Sequence, residues 1–147
     1  MSVHSIKIAQ TMAASFLMGQ ALPANTSYEQ KTSMLLGVLL LMFTEDADGM
    51  VERLHEENAA VRALCEEGRD VVAAGELRER LAALPPPAAS LRVSALQEEN
   101  DALRALLVEL HAAVEESSSP AAVELEARIF AELRTSTERR RLLTQPL

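Results

Sequence analysis

The chain has 147 residues, a net charge of -8 and an aromatic content of only 3%. This length suffices for one domain, or one domain with an extension, and so excludes a multidomain enzyme. Ala and Leu dominate with 24 and 23 copies, against 10 Val and 3 Ile. Because Ala and Leu lose least on entering a helix, the composition predicts an all-α fold. The negative charge and the scarcity of aromatic side chains argue against nucleic acid as a partner.

A first helix is predicted over residues 3–22, because Pro23 disfavours helix in the residue before it. The same stretch has some features of a signal peptide, with Lys7 ahead of mildly apolar residues and a weak cleavage site at Leu22-Pro23-Ala24. Polar residues interrupt the stretch, so we favour an amphipathic helix. The single cysteine, Cys65, excludes an intrachain disulfide, and a cytoplasmic location is therefore expected.

A long second helix is predicted to begin at a capping box formed by Thr26 and Glu29 and to end at Gly68. The dipeptide Asp48-Gly49 is a turn signal, yet the helical spacing resumes at once, so an unbroken helix is favoured over a kink. The apolar run 34–43 lies within this helix and is too short for a membrane span, which needs about 20 residues. It predicts a buried helix and no membrane span.

The remaining chain predicts three more helices. The third covers 69–84 and ends at three prolines, and Ser90 is expected to cap a fourth over 91–116. Ser119 followed by Pro120 is expected to begin the fifth, which either continues to 143 or breaks before a separate final turn. The predicted fold is an up-and-down helical bundle of about five helices, with one long central helix and short coiled-coil-like segments. It forms one all-helical domain over 1–147, with N-terminal helices in 3–84, a proline-rich linker in 85–90 and a C-terminal helical hairpin in 91–143.

An internal repeat is the most specific feature of the sequence. Residues 54–64 match residues 96–106 at an offset of 42, with eight of eleven positions identical. Both copies fit a coiled-coil heptad with apolar residues at the two core positions and one Asn among them. Apart from Cys65, the predicted seam residues are Val51, Leu54, Asn58 and Val61 in the first copy, and Val93, Leu96, Asn100, Leu103, Leu107, Leu110 and Val114 in the second.

The seam asparagines and the flanking charges favour two parallel helices in one register. A buried Asn destabilises the seam unless it meets another Asn across it. Glu99 and Arg104, like Glu57 and Arg62, occupy the two flanking positions that face each other between parallel helices. An antiparallel pair would instead bring Glu near Glu.

Two architectures satisfy this pattern, and a third interpretation needs neither. In the first architecture, Asn58 meets Asn100 within one chain. In the second, the same helix pairs with its own copy in another chain across a twofold axis. Alternatively, the repeat is only good surface-helix composition used twice. Because the second helix is too apolar near 35–43 for one chain to cover, we expect a homodimer that contains the intrachain pairing.

Candidate chemistry is sparse. Glu52 and His55 have the spacing by which di-iron bundles supply ligands from one helix, but the second copy of the repeat lacks the matching pair, so they are weak metal candidates. Cys65 is expected to be a buried apolar residue. The basic cluster Arg139–Arg141 is expected to complement a helix dipole, with docking to an acidic partner as the alternative.

The sequence therefore predicts a non-catalytic scaffold or adaptor that associates with itself, with another protein as the alternative partner, and requires no cofactor. The alternative is a binding module for a small apolar ligand, held among Met, Phe and Leu side chains of the first two helices. The side chains that suggest it are Met12, Phe16, Met18, Met34, Met42, Phe43 and Met50. A metal-dependent helical-bundle enzyme comes third.

Overall fold

The computed structural model of the protein describes residues 3–20 and 26–142. These residues form five helices and no strands. The helices are α1 (Val3–Leu17), α2 (Ser27–Val71), α3 (Glu76–Ala82), α4 (Val93–Glu115) and α5 (Pro120–Arg139). The predicted all-α up-and-down bundle with one long central helix is confirmed.

Two predicted helix starts are confirmed by their capping hydrogen bonds. At the start of α2, the Thr26 N–H donates to Glu29 Oε2 at 2.9 Å, and the Glu29 N–H donates to Thr26 Oγ1 at 3.2 Å. At the start of α5, Ser119 Oγ accepts from the Ala122 N–H at 3.1 Å, with Pro120 in the first turn. The long helix α2 also continues unbroken through Asp48 and Gly49, as favoured.

The predicted end of the first helix at residue 22 is wrong, because α1 ends at Leu17. Gly19 follows with a φ of 68°, in the left-handed region that glycine adopts without a Cβ clash. The Gln20 N–H donates to the Ser15 carbonyl, and the Gly19 N–H donates to the Phe16 carbonyl. These two bonds form a Schellman motif, which satisfies the last carbonyls of the helix. Pro23, the predicted stop, lies outside the described residues.

Gly68 does not end the long helix, contrary to the prediction, because α2 continues to Val71. A Cβ built on Gly68 would lie 2.5 Å from Cδ2 of Leu110 on α4. The glycine therefore permits a close contact with the Leu110 side chain and does not form a left-handed turn.

The helices on either side of the proline-rich segment are shorter than predicted. With α2 extending to Val71, α3 begins at Glu76 rather than at 69. Ser90 does not cap α4 because its Oγ accepts from the Arg92 N–H, and Arg92 itself is the N-cap residue. Helix α5 runs past Thr135 without a separate final turn, but it ends at Arg139, so the predicted continuation to 143 is wrong.

The chain divides into two compact units, one from Met1–Met50 with Arg141–Leu147 and the other from Val51–Arg140. The boundary lies inside α2, whereas the sequence placed a division at the linker 85–90. In the first unit, α1 packs antiparallel against the first part of α2. The Ser33 hydroxyl donates to the Phe16 carbonyl at 2.8 Å, and a Cβ on Gly37 would lie 3.0 Å from the Ala13 carbonyl oxygen. Small residues thus let the two backbones approach closely.

The second unit contains the hydrophobic core, which is formed by the last part of α2 together with α3, α4 and α5. Arg80 on α3 pairs with Glu109 on α4 through two hydrogen bonds of 2.6 and 2.8 Å. Along α5, Ala122, Leu125 and Ile129 are fully buried in this core, and Leu133 is partly buried against it. The buried core residues are Val61, Leu64, Cys65, Leu81, Leu103, Leu106, Leu107, Leu110, Val114, Ala122, Leu125 and Ile129.

Candidate functional site

The two copies of the repeat pair with each other inside one chain. The Asn100 side-chain N–H donates to Asn58 Oδ1 at 2.8 Å, and the Asn58 side-chain N–H donates to the Leu96 carbonyl at 3.0 Å. Further along, Gly68 of α2 faces Leu110 of α4, ten residues beyond each Asn. Because the contact positions advance by ten residues in the same direction along both helices, the two helices run parallel. The structure therefore has the intrachain architecture.

The structure places most of the predicted seam residues in this intrachain contact. Two lie at the N-terminal end of the seam and are less covered, since Val51 is half-buried and Val93 is 38% exposed. The buried seam residues are Leu54, Asn58, Val61, Leu96, Asn100, Leu103, Leu107, Leu110 and Val114. Because their side chains are used within one chain, this seam is not a free surface for a second copy.

Two ion pairs flank the asparagines and are related by the repeat. Glu57 on α2 accepts from Arg104 on α4, and Glu99 on α4 accepts from Arg62 on α2 at 2.7 Å. Each glutamate is the equivalent of the other at the offset of 42, and so is each arginine. The two flanking positions therefore pair reciprocally, as expected for parallel helices in register.

Each of these glutamates has a further partner that sequence reasoning missed. Arg140, at the end of α5, donates to both carboxylate oxygens of Glu57 at 2.7 and 3.0 Å. The Ala88 N–H, in the proline-rich segment, donates to Glu99 at 2.9 Å. The basic cluster was expected only to complement a helix dipole, and no local signal points from residue 140 to residue 57.

Both glutamates have a lowered pKa even though they are buried. Burial by itself raises the pKa of Glu57, but the hydrogen bonds and charges of Arg140 and Arg104 outweigh this effect. Burial likewise raises the pKa of Glu99, and the bonds from Arg62 and the Ala88 N–H outweigh it. The carboxylates are therefore held in their charged form, as structural parts of the helix contact.

We expect stability to fall in acid, and the Glu57→Gln, Glu99→Gln double variant to lose less of its stability there. A pKa lowered by folding contributes stability that is complete above the unfolded value, about 4.3 for Glu, and is lost as pH falls through the folded value. The measurement is urea unfolding of both proteins at pH 7 and pH 3. Equal losses of stability in the two proteins would contradict the attribution of the acid sensitivity to Glu57 and Glu99.

The weak metal candidates do not form a centre. Glu52 and His55 are both exposed on α2. Within residues 3–20 and 26–142, no group of three or more His, Cys, Asp or Glu side chains comes close enough to hold a metal ion. His111 packs its ring edge-to-face against Phe130, with ring centres 5.0 Å apart, and so takes part in helix packing.

Cys65 is fully buried, as expected of an apolar core residue. Burial raises the pKa of its thiol to about 11. The reactive thiolate is therefore scarce at neutral pH, which is unfavourable for nucleophilic chemistry.

The first unit has a large uncovered apolar surface. The run 34–43, expected to be buried, is instead mostly exposed, and Leu35 is 58% exposed. More than a third of each of ten large apolar side chains is in contact with solvent in the described part of this unit. They are Ile8, Met12, Met18, Tyr28, Met34, Leu35, Leu36, Val38, Leu39 and Phe43.

The side chains predicted to form a ligand pocket lie largely on this surface. Met12, Met18, Met34 and Phe43 are about half exposed or more, and Phe16, Met42 and Met50 are half-buried. An open depression of about 520 Å³ is lined by α1 side chains that include Ile8, Met12 and Phe16. In the described chain, these residues form an open surface instead of an enclosed pocket.

No protein-family model, curated protein or solved structure matches this chain. In the part of the chain that the structure describes, no helix is both long and apolar enough to cross a membrane.

Proposed function

We propose that this protein is a non-catalytic, homo-oligomeric helical bundle that acts as a scaffold or adaptor in the cytoplasm. The observation that supports the proposal best is the uncovered apolar surface of α1 and the first part of α2. Exposed apolar surface of this extent is rare on monomeric proteins and is typical of association surfaces. The single buried cysteine, which forms no intrachain disulfide, supports the proposed location.

The intrachain seam limits which surface is available for association between chains. Because the repeat pairs with itself inside one chain, its core positions are already filled. Association between chains must then use another surface, and the first unit supplies one. The buried glutamate and arginine pairs stabilise the second unit and need no external partner.

A binding module for a small apolar ligand is the second candidate. The depression along α1, about 520 Å³ in volume, lies in the size range of ligand sites. Ligand sites, however, bury most of the surface of their ligand, and this depression is open. Native mass spectrometry of freshly purified protein tests this candidate, and a mass equal to that of the bare chain or its oligomer contradicts it.

Sedimentation equilibrium of the full chain, over a wide concentration range, tests the proposed self-association. We expect a dimer or larger assembly at micromolar protein and dissociation only at much lower concentration. A stable monomer at micromolar concentration would contradict the proposal. Mass action makes this test direct, since self-association depends on concentration and folding of a monomer does not.

A further inference from the structure

The outer face of α2 in the first unit has a second heptad seam, separate from the repeat. Its members are spaced four and three residues apart in alternation, which keeps them on one side of the helix. Ser33 and Gly37, which contact α1, lie on the opposite side. We call these five residues the outer stripe: Tyr28, Thr32, Leu35, Leu39 and Met42.

The uncovered apolar surface of α2 is close in area to the interface of a stable dimer. Seven of the ten exposed apolar side chains lie on α2. At roughly 100 Å² each they present about 700 Å² per chain, and a standard interface buries about 800 Å² from each partner. The outer stripe lies on this surface, and three of its members, Tyr28, Leu35 and Leu39, are more than half exposed.

The charges around the outer stripe fit a second copy better than a lipid surface or a charged partner. Residues 32–44 contain no charged side chain. Helices that lie on membranes carry several Lys or Arg on their polar face, whereas the first part of α2 has only Lys31, and the whole chain has a net charge of -8. An uncharged apolar stripe is complementary to itself.

The charges at the two ends of the outer stripe select the orientation. In a parallel pair, Asp46, which occupies the next seam position, would face the same residue of the other copy. In an antiparallel pair, Lys31 of one copy approaches Glu45 of the other, because both residues flank the seam on the same side. Opposite charges then meet at both ends of the interface.

We propose that two copies of this chain associate through their outer stripes in antiparallel orientation, forming an isologous interface in which Leu35 of one copy packs against Leu39 of the other. This inference rests on the proposed function, and it names both the partner and the contact. Antiparallel pairing about a twofold axis buries the same surface on each chain.

The first experiment compares a Leu35→Glu, Leu39→Glu double variant with the wild type by size-exclusion chromatography and light scattering. Placing four glutamates in the dimer interface is expected to weaken association at least about 100-fold, giving a monomer at micromolar protein. The matched control is Val108→Glu, which puts a charge on a 70% exposed apolar position of α4 and should leave the dimer intact. Far-UV circular dichroism establishes that all three proteins stay helical.

The second experiment tests orientation by oxidative cross-linking of Thr32→Cys and Met42→Cys variants. Antiparallel stripes bring residue 32 of one copy close to residue 42 of the other, so a disulfide is expected in the mixture and not in either protein alone. Cys65 is fully buried and does not compete. Flotation with phosphatidylcholine and phosphatidylglycerol vesicles is run in parallel.

The outcomes separate this inference from the proposed function. A wild-type monomer that does not float contradicts both. A wild-type dimer that the double Glu variant leaves intact contradicts the outer stripe alone, and disulfides within each single variant contradict the antiparallel orientation. A wild-type monomer that floats with vesicles would show that the outer stripe binds a lipid surface and not a second copy.

Discussion

Replacement of Leu110 by Ala is expected to lower the free energy of unfolding by about 2–5 kcal/mol. Leu110 is fully buried in the core and lies directly against Gly68 of α2. Truncation removes its apolar contacts and leaves a cavity that rigid neighbouring helices fill only partly. The measurement is urea unfolding monitored by circular dichroism.

The contact between Gly68 and Leu110 makes the effect of one substitution on stability depend on the other. Gly68→Ala alone should destabilise by about 1–3 kcal/mol, because the new Cβ would lie 2.5 Å from Cδ2 of Leu110. In the Leu110→Ala background the space is open, and Gly68→Ala should instead stabilise by about 0.5–1 kcal/mol, the normal gain from replacing a helical Gly. The sign of the effect of Gly68→Ala therefore reverses.

A matched control distinguishes a direct contact between Gly68 and Leu110 from a general loss of packing in the core. Leu106 is also buried on α4, but it is not among the nearest neighbours of the Gly68 Cβ position. In a Leu106→Ala background, Gly68→Ala should remain destabilising. Additive effects in the Leu110 background would mean that α2 and α4 do not pack in this parallel register.

Replacing both Asn58 and Asn100 by Val is expected to stabilise the protein by about 1–4 kcal/mol. The two amides are buried in an apolar seam, and Oδ1 of Asn100 has no hydrogen-bond partner. Valine fills these positions with the side-chain type that packs well at this heptad position. The measurement is thermal and urea unfolding at neutral pH.

The two single variants are expected to differ from each other. Asn58→Val removes the acceptor of the Asn100 amide and leaves that whole amide unpaired, which should cost about 1–3 kcal/mol. Asn100→Val should cost less, because the unpaired oxygen of Asn100 disappears as that of Asn58 loses its donor, while the Asn58 N–H keeps its bond to the Leu96 carbonyl. Small, equal and additive effects would contradict the buried pair.

Heptad chemistry explains why the sequence predicted the contacts around Asn58 so closely. A polar residue in an apolar seam and oppositely charged residues at its flanks restrict partner, direction and register together. Helix starts at Thr26 and Ser119 were predictable for a similar reason, since the capping side chain and its acceptor or donor are neighbours in the sequence.

Features that depend on distant residues were not predictable from local patterns. Gly68 has the pattern of a helix stop, and only the proximity of Leu110 shows that it permits close packing instead. Arg140 reaches Glu57 from 83 positions away, so no spacing rule connects them. The apolar run 34–43 predicted burial, but its helix has too few neighbours in the first unit to cover it.

In our proposal the two apolar seams have different partners, one inside the chain and the other in a second copy. Hydrogen–deuterium exchange at increasing protein concentration distinguishes the two seams. We expect slower exchange of residues 34–43 as concentration rises, with no change at residues 54–65 and 96–114. Concentration-dependent protection of the repeat segments, with none at residues 34–43, would contradict it.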